Sequence, residues 1–593
     1  MDAKVIAHLP GTTTDVLSAL ELGRHFNERE ASCCFSFRKG IATGGWRAAI
    51  LVMGVEFLER LATLGIGFNL VIYLNSRMHL PLATSANVVT NFLGTSFIMC
   101  LLGGLVADTF LGRFRTVAVG ASIQLIGILL IVLSATLPKI RPPTCEGTTC
   151  DSPSTHQVAI LYAALYIIAL GTGGLKSCVS GLGADQFDEE NDQGRKMMQS
   201  FFNWFGMAVS SASVLAATMM AYIQDNVSYG VGYLLSLSCI SGSFLLVMIA
   251  SPLLHHKPAS GSPIILIYNI FLAAWRNRKI RHPLTRTSDI ICCQQKDFDE
   301  KIEAIRTNQF LFLDKAALNV NCKQNPDMKD CIEWNISTLQ EVEDVKMFLR
   351  LLPILATTIT FWTCNAQMIT FSTQQASTLD RRLGRHFSIP AASLTVFVQL
   401  GCLMTLSIYE KLLIPLIRRW RRNEYGVTSL QRIGIGLMLS SSSLLIASLV
   451  EKKRLRIAKQ FNHSTDAAWL PMSVFYLIPQ YWLVGMGDAF GYVGQLEFFY
   501  RESPTRMRSL GSGLSLSSIS LGFFFSSTLV DVVNRFSRNA ANEGWLTNDL
   551  NTSRLDNFYL FVASCSILSL LAYLVCSQWY VYRDQWAIHQ NKN

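Results

Sequence analysis

Three charged side chains interrupt the first long apolar segment of the chain, and they constrain its fold more than any other feature. The segment Trp46–Leu74 is long enough to cross a bilayer, yet Glu56, Glu59 and Arg60 lie near its middle. A charge at the bilayer centre costs roughly 2.5–3.5 kcal/mol on insertion scales. Because residues three and four apart share one face of a helix, the three side chains are expected on one face, turned away from lipid.

This charged face has two interpretations. One is a buried structural ion pair that remains paired at all times. The other is a proton or ion relay, because intramembrane carboxylates usually mark a transport path. A carboxylate balanced between burial and a neighbouring cation can load a proton on one side of the membrane and release it on the other. We therefore predict Glu56 and Glu59 as titrating groups and Arg60 as the partner that follows their charge.

Composition sets the class of protein. The 593 residues are 50% hydrophobic and 16% charged, whereas a typical soluble protein has about a quarter of its residues charged. Repeated apolar stretches of about 20 residues indicate a polytopic membrane protein. The net charge of +10 belongs to residues that flank these stretches, so membrane lipid is the expected partner and nucleic acid is not.

Chemistry other than transport finds little support in the sequence. No nucleophile elbow, zinc-site spacing or nucleotide-binding loop is present, so neither an enzyme nor a metal or cofactor is predicted. The glycine run 171–174 lacks the spacing of a phosphate-binding loop and indicates close helix packing.

Twelve spans are predicted, in an all-α membrane protein divided into two six-span halves. The halves cover 46–251 and 346–580, with a cytoplasmic linker at 252–345 and cytoplasmic tails at 1–45 and 581–593. Within the linker, the apolar run Pro263–Trp275 is too short to span and is followed at once by basic residues. It is predicted either as an interfacial helix at the membrane surface or as a connecting helix packed on the protein.

Basic residues in the loops give the orientation. Clusters after spans two, eight and ten, together with the linker, favour a cytoplasmic position for those loops. Clusters at 381–385 and 452–456 would then be external, which favours the opposite arrangement. We predict both termini inside, because four loops agree and an even number of spans places the termini on the same side.

Several motifs resemble those of one transporter family. Residues 56–60 read EFLER and match an ExxER motif, residues 103–113 resemble the family's loop between spans two and three, and residues 183–188 and 201–205 resemble its two signature segments. The chain is similar to the plant nitrate/peptide transporter family within the proton-coupled oligopeptide transporters, in particular to the branch that contains the dual-affinity nitrate transporter. The resemblance implies the major facilitator fold of two six-helix bundles, alternating access to a central site and proton symport.

The resemblance also assigns a gate and a regulatory position. Lys176 and Asp488 match positions that form a salt bridge between the two halves, and we expect this pair to hold the inward gate shut. The family usually has Glu where this chain has Asp488. Thr109 matches a threonine whose phosphorylation switches affinity in the nitrate relative, so a regulatory kinase is one expected partner. The alternative for Thr109 is a turn or capping residue.

The expected cargo pocket departs from that relative. Asn365 stands where the relative has a histidine that, when protonated, holds the anion. Asparagine can donate hydrogen bonds but cannot become positive, and a neutral hydrogen bond is roughly half as strong as a charge-assisted one. Ile369 replaces a threonine one turn further on, Leu64 and Phe68 would line the facing wall, and Gln367 is a further candidate contact. The pocket is therefore predicted to be neutral, apolar and aromatic.

These features predict a proton-coupled symporter, with low-affinity nitrate uptake or redistribution as the leading function. The alternatives are a carrier of abscisic acid, gibberellin, another organic acid, chloride or a small peptide, and a nitrate sensor with little flux. Expected partners are protons, a small anion or organic acid, and lipid, while a homodimer is left open. The plasma membrane is the leading location and the vacuolar membrane is the alternative.

Overall fold

A computed structural model describes most of the chain between residues 44 and 582. The residues left out within that range are 71–72, 75–76, 79, 81, 138–139, 141–152, 189–190, 258–260, 280–306, 308, 318–337, 384–386, 390, 422–426, 462–469, 538–544, 547–549 and 552. The predicted tails at 1–45 and 581–593 lie almost wholly outside the described residues.

Long apolar helices form the N-terminal half. In chain order they are α1 (Gly45–Gly67), α2 (Leu82–Val106), α3 (Gly112–Thr136), α4 (Thr155–Ala184), α5 (Asp192–Leu215), α6 (Ala221–Asn226) and α7 (Tyr229–Ala250). The π-helical turns Ala107–Leu111 and Ala216–Met220 lie between α2 and α3 and between α5 and α6. Gly112 has φ of 73°, a backbone conformation that favours glycine, where the chain turns from α2 into α3.

The linker and the C-terminal half continue the same pattern. Their helices are α8 (Pro263–Arg276), α9 (Leu339–Ile369), α10 (Phe371–Ser377), α11 (Val396–Ile408), α12 (Ile414–Arg421), α13 (Ser429–Phe461), α14 (Ile478–Glu502), α15 (Arg508–Phe536) and α16 (Leu555–Trp579). A π-helical turn, Tyr409–Leu413, joins α11 to α12. Short 3₁₀ helices cover Ser251–Leu253, Asn277–Lys279, Leu311–Ala317, Ala391–Thr395, Val474–Leu477 and Thr505–Met507.

Four short strands lie in the loops of the C-terminal half. β1 (Leu379–Asp380) pairs in parallel with β4 (Leu470–Ser473), and β2 (Arg382–Leu383) pairs antiparallel with β3 (Phe387–Ser388). The β1–β4 pair ties the connections after α10 and after α13 together, whereas the β2–β3 pair lies within the connection after α10.

Some of the membrane-spanning helices are too charged or too polar to be recognised by hydropathy alone. Nine segments of the described chain are long and apolar enough to cross a membrane, and one of them, Asn91–Thr136, contains both α2 and α3. α1 fails the criterion because of its three central charges, and α14 fails because polar residues occur along its length. With these helices included, the arrangement is the predicted all-α membrane fold of twelve helices in two six-helix bundles.

Glycines bring α4 close to its neighbours, as predicted for the run 171–174. A Cβ at Gly171 would lie 2.5 Å from the backbone nitrogen of Gln124 on α3, and a Cβ at Gly173 would lie 2.5 Å from Cβ of Met99 on α2. Small residues allow this approach of helix backbones. The packing carries Lys176, one turn further along α4, into the interior of the N-terminal half.

The linker is anchored on the first helix of the C-terminal half. Lys346 on α9 is fully buried and ion-pairs with Asp314 of the linker and with Glu343, at 2.7 Å. One face of α8 packs on this region through Ile270, while Tyr268 is exposed on another face. The position of α8 at a membrane surface stays a prediction.

One basic cluster that argued against the predicted orientation is not a loop. α13 continues to Phe461, and Arg454 is buried within it, donating to Glu451 at 2.7 Å. Because this arginine is neutralised by a buried partner, the cluster at 452–456 carries less weight as a topology signal than its sequence indicates.

Candidate functional site

Four charged side chains meet in the N-terminal half. Arg60 donates to Glu56 Oε1 at 3.1 Å, one helical turn apart on α1. Lys176 reaches across from α4, ion-pairs with Glu59, and lies 3.8 Å from Glu56 Oε1. The two glutamates are at most 1% exposed and the two cations at most 8%. The two negative and two positive charges therefore sum to zero in a site that is buried away from solvent.

The two glutamates differ in their hydrogen-bond partners. Glu59 accepts from Thr63 at 2.6 Å and from Gln124 at 3.1 Å, in addition to its ion pair with Lys176. Glu56 Oε2 has no hydrogen-bond partner among the described residues. A proton can therefore be added to this oxygen of Glu56 without displacing a donor, whereas Glu59 is enclosed by donors.

One aromatic residue links this cluster to the other half. Tyr492 on α14 lies beside Arg60 and packs against the cores of both halves. Its ring also makes an edge contact with Trp362 on α9, with ring centroids 5.8 Å apart. A change of charge at Glu56, which is bonded to Arg60, can thus be transmitted to the interface between the halves.

The predicted salt bridge between Lys176 and Asp488 is not formed in this structure. Lys176 is held by the glutamates of its own half, because α1 and α4 pack together there. Asp488 instead accepts a hydrogen bond from Asn365 Nδ2 at 2.5 Å. In this conformation each of the two residues has another partner, so the salt bridge between them stays a prediction.

The predicted pocket residues are only partly brought together. Asn365 and Ile369 lie one turn apart on α9, with Asn365 8% and Ile369 47% exposed. Leu64 and Phe68, on or next to the last turn of α1, pack partly against the core of the N-terminal half. Gln367 is fully buried and donates to Ser526 on α15 at 2.7 Å. The contact of Gln367 with cargo stays a prediction, since its amide nitrogen is bonded to Ser526 whereas its buried Oε1 has no hydrogen-bond partner among the described residues.

Polar contacts join the two halves at the predicted cytoplasmic face. Arg113, at the start of α3, ion-pairs with Asp185 just after α4 and donates to Ser509 on α15 at 2.9 Å. Tyr500 of α14 donates to the same aspartate at 2.7 Å. Burial would raise the pKa of Asp185, but the charges of Arg113 and Lys257 hold it below its ordinary value. This carboxylate is therefore ionised at neutral pH.

The turn between α2 and α3 completes this contact. Asp108 accepts from the backbone N–H groups of Ser509, at 3.3 Å, and of Leu510, at 2.7 Å, in the first turn of α15. A carboxylate is stabilised there because these N–H groups have no partner within the helix. A Cβ at Gly104 would lie 2.3 Å from the carbonyl oxygen of Ser509, so the two helices meet in backbone contact.

Thr109 lies in the π-helical turn beside this contact. Its hydroxyl oxygen is buried and has no hydrogen-bond partner among the described residues. The hydroxyl therefore does not act as a cap or stabilise the turn through a hydrogen bond.

A second polar junction also joins the halves, and the sequence alone did not reveal it. Arg432 on α13 donates to Glu497 on α14 and to Asn203 on α5, both at 2.9 Å. Asn203 in turn donates to Glu410, in the turn after α11, at 2.5 Å. The only sequence signal was the position of Asn203 inside the family segment 201–205, which does not identify a partner.

Comparison with known proteins agrees with this architecture. The family model described as "PTR2: POT family" matches residues 114–546. Protein NRT1/PTR FAMILY 6.2 of Arabidopsis thaliana is 44% identical over 91% of this chain and 92% of its own length. Protein NRT1/PTR FAMILY 6.3 of the same plant is 44% identical over 92% of each chain.

Solved structures support the same fold. An auto-inhibited POT family peptide transporter superposes with a TM-score of 0.59 at 18% identity, over 91% of this chain and 98% of that chain. The POT family transporter PepTSo gives a TM-score of 0.60, also at 18% identity, over 90% of this chain and 98% of that chain. Within the described residues, no group of three His, Cys, Asp or Glu side chains is arranged to hold a metal ion. From the fold, the family match and these relatives, the chain belongs to the POT family and is a proton-coupled membrane transporter.

Proposed function

We propose that this transporter is a symporter that carries protons together with nitrate, for low-affinity uptake or redistribution by alternating access. The observation that carries the proposal is the neutral, buried cluster of Glu56, Glu59, Arg60 and Lys176. A permanently paired structural cluster would satisfy all of its acceptors. Here one oxygen of Glu56 has no described partner, which leaves a place for a proton.

Electrostatics relates the proton to the charge of the cargo. The cluster is neutral when both glutamates are ionised, so adding one proton leaves a buried net charge of one positive unit. An uncompensated buried charge costs several kcal/mol. An anion that binds beside the cluster would compensate this charge, so the proton and the anion would each favour binding of the other. Glu56 takes the first proton in this scheme, and Glu59 titrates when Lys176 moves away.

We further propose that Lys176 exchanges between Glu59 and Asp488 during transport. In the described conformation, Asp488 has an asparagine amide as its partner, and no ion pair to it is found among the described residues. A carboxylate in this position disfavours an anion nearby unless it is protonated or paired with a cation. Protonation of Glu56 would leave the cluster with an excess positive charge and favour movement of Lys176 towards Asp488, and the resulting salt bridge would connect the two halves.

An organic acid is the second candidate cargo. Asn365 provides an amide in place of a cation, and Ile369 beside it is apolar and 47% exposed. A wall of this kind suits a larger, weakly acidic molecule such as a plant hormone, with its carboxylate directed towards the cationic cluster. Nitrate sensing with little flux is the third reading, for which an intact proton cluster has no evident use.

Uptake measurements separate these proposals. Oocytes expressing the full chain would be given labelled nitrate, chloride, abscisic acid, gibberellin and a dipeptide at acidic and at neutral external pH. Nitrate uptake and inward current that both increase in acid support the nitrate proposal. Accumulation of a hormone without nitrate current would establish the second candidate. Surface-localised protein that accumulates none of these compounds would contradict both transport proposals and favour sensing. The full chain carrying a fluorescent tag in plant cells would show whether it lies in the plasma membrane, as proposed, or in the vacuolar membrane.

A further inference from the structure

Gln124 of α3 is an uncharged side chain that reaches into the charged cluster of the N-terminal half. It is fully buried, and its Nε2 lies 3.1 Å from Glu59 Oε1 and 2.7 Å from Thr63 Oγ1. Thr63, one turn after Glu59 on α1, donates its hydroxyl to the same Oε1 at 2.6 Å. The two N–H groups of one amide are therefore directed at this carboxylate and at the hydroxyl that donates to it.

The glutamine also fixes the direction of the threonine hydroxyl. The Thr63 oxygen accepts from Gln124 and turns its own hydrogen towards Glu59. Glu59 Oε1 thus receives two donors, while its Oε2 receives Lys176. Hydrogen bonds are stronger when the acceptor is ionised. The described donors around Glu59 therefore stabilise its carboxylate form and, in this arrangement, present no acceptor to a carboxylic acid hydrogen.

The orientation of the Gln124 amide leaves its own oxygen unpaired. Gln124 Oε1 is buried and has no hydrogen-bond partner among the described residues. Because a buried unpaired acceptor is unfavourable, this orientation is favoured only if the amide nitrogen donates to a strong acceptor such as a carboxylate. Rotation of the amide by half a turn would place its oxygen against Glu59 Oε1, which is favourable only when Glu59 carries a proton. The amide orientation and the charge of Glu59 are therefore linked.

The backbone of α3 is held against α4 at this level. A Cβ at Gly171 of α4 would lie 2.5 Å from the backbone nitrogen of Gln124. A Cβ at Gly120, one turn before Gln124, would lie 2.8 Å from the carbonyl oxygen of Gly171. Glycines allow helix backbones to come into direct contact. The same contact between helices therefore places both Gln124 and Lys176 beside Glu59.

The other groups that face the cluster carry no charge near neutral pH. They are the Cys100 thiol of α2 and the Tyr492 hydroxyl of α14, and a thiol and a phenol are ordinarily uncharged there. α7 and the π-helical turn Ala216–Met220, which pack on α1, contain no charged residue, and α5 has charged residues only in its first turns. The preference of a proton for one glutamate is therefore set by the two cations of the cluster and by its uncharged donors.

We propose that Gln124 is a positioning residue of the proton site, which together with Thr63 holds Glu59 ionised and bound to Lys176 so that the first proton goes to Glu56. This inference rests on the proposed function, in which Glu56 is protonated first. Without the amide, Glu59 would lose a donor to its charged form and would compete for the first proton. Protonation of Glu59 would then free Lys176 before Glu56 is protonated. Gln124 thus sets the order in which the proton binds and the lysine moves.

The first test measures proton-driven uptake into proteoliposomes, at varied external pH, of whichever compound the wild-type protein accumulates. Gln124→Leu removes the amide, and Thr63→Val removes the hydroxyl at nearly constant shape. Each variant loses one hydrogen bond to ionised Glu59, so the pH of half-maximal uptake should rise by about one to two units. Thr63→Ser, which keeps the hydroxyl, should return this midpoint to the wild-type value.

Gln224→Leu is the matched control for loss of a buried amide. Gln224 on α6 is 1% exposed and donates to the carbonyl oxygen of Gly65 on α1 at 2.7 Å. It contacts the same helix as Gln124 but makes no bond to the cluster among the described residues. The control should lose thermal stability and keep the wild-type midpoint.

The second test identifies the carboxyl group that takes the first proton, and it requires no cargo. Infrared difference spectra of the purified full-length protein are recorded as the pH is lowered. The carboxylic acid C=O band that appears first is assigned by its loss in Glu56→Gln or in Glu59→Gln. In the otherwise unchanged protein this band should be lost in Glu56→Gln. When Gln124→Leu is also present, a part of the band should be lost in Glu59→Gln.

An unchanged uptake midpoint or an unchanged band assignment in Gln124→Leu would overturn the proposal. An equal rise of the midpoint in Gln224→Leu would also overturn it, because loss of packing would then account for the effect. A first band that belongs to Glu59 in the otherwise unchanged protein would contradict the proposed order of proton loading itself. The infrared test therefore separates failure of the proposed function from failure of this inference.

Discussion

Replacing Glu56 with glutamine tests the proton site with little change of shape. In Glu56→Gln, the amide oxygen can still accept from Arg60, which donates to Glu56 at 3.1 Å, but the cluster keeps one positive charge in excess. Removing one partner of a buried ion pair costs about 3–5 kcal/mol, equivalent to a factor of at least about a hundred in an equilibrium constant. The variant should therefore resemble a transporter that has loaded its proton and cannot release it.

Two assays on proteoliposomes distinguish coupling from simple damage. Accumulation of labelled cargo driven by an inward proton gradient should be abolished in Glu56→Gln. Counterflow, in which labelled cargo exchanges with unlabelled cargo without a gradient, should persist because it requires no release of a proton. The labelled cargo would be whichever compound the wild-type protein accumulates.

Glu451→Gln is the matched control for this experiment. Glu451 is as completely buried as the cluster and is ion-paired with Arg454 at 2.7 Å, but it lies on α13 in the other half. This variant should lose a similar amount of thermal stability and keep acid-stimulated accumulation. The reasoning would be refuted if Glu56→Gln, present at normal levels in the membrane, accumulated cargo with the pH dependence of wild type.

Four further predictions concern the gate and the pocket. Exchanging charges in Lys176→Asp/Asp488→Lys should restore part of the uptake lost in either single variant; failure to do so argues against direct pairing. Asn365→His should increase nitrate affinity in acid, measured by uptake at varied nitrate concentration, and an unchanged affinity places the residue outside the pocket. Asp185→Asn should lower the thermal midpoint at neutral pH. Because the pKa of Asp185 is lowered, its contribution is lost only as the pH falls through that lowered value, so the difference from wild type should disappear only in strong acid. Gly104→Val should prevent closure of the predicted cytoplasmic face, measured as persistent labelling of a cysteine introduced there.

The helical fold follows from the sequence because apolar length alone predicts most spans. α1 and α14 are exceptions, because their hydropathy is too low to predict a span. The polar residues that lower it, including Glu59 and Asp488, are those at the centre of the protein. α1 was correctly predicted as a span despite the charges at its middle, because these charges could share one face of the helix.

The interaction partners of the polar side chains were much harder to predict from the sequence than their positions in the interior. Whether Lys176 meets Glu59 or Asp488 depends on the rotation and approach of helices in one conformation, which no local pattern encodes. The same holds for Gln367, which donates to α15 while its neighbour Asn365 donates to α14, a difference that the sequence does not show. Tyr500 and Asp185 are 315 positions apart in the chain, so their contact emerges only when the two halves are packed together.

The buried hydroxyl of Thr109 would have to become exposed before a kinase could modify it. It lies in the α2–α3 turn next to Asp108, which binds the start of α15 in this conformation. If separation of the turn from α15 exposes the hydroxyl, transfer of a phosphoryl group would be restricted to molecules whose halves have separated on that side. The extent of phosphorylation would then depend on how long the carrier stays in its inward-facing form, and therefore on the supply of cargo and protons.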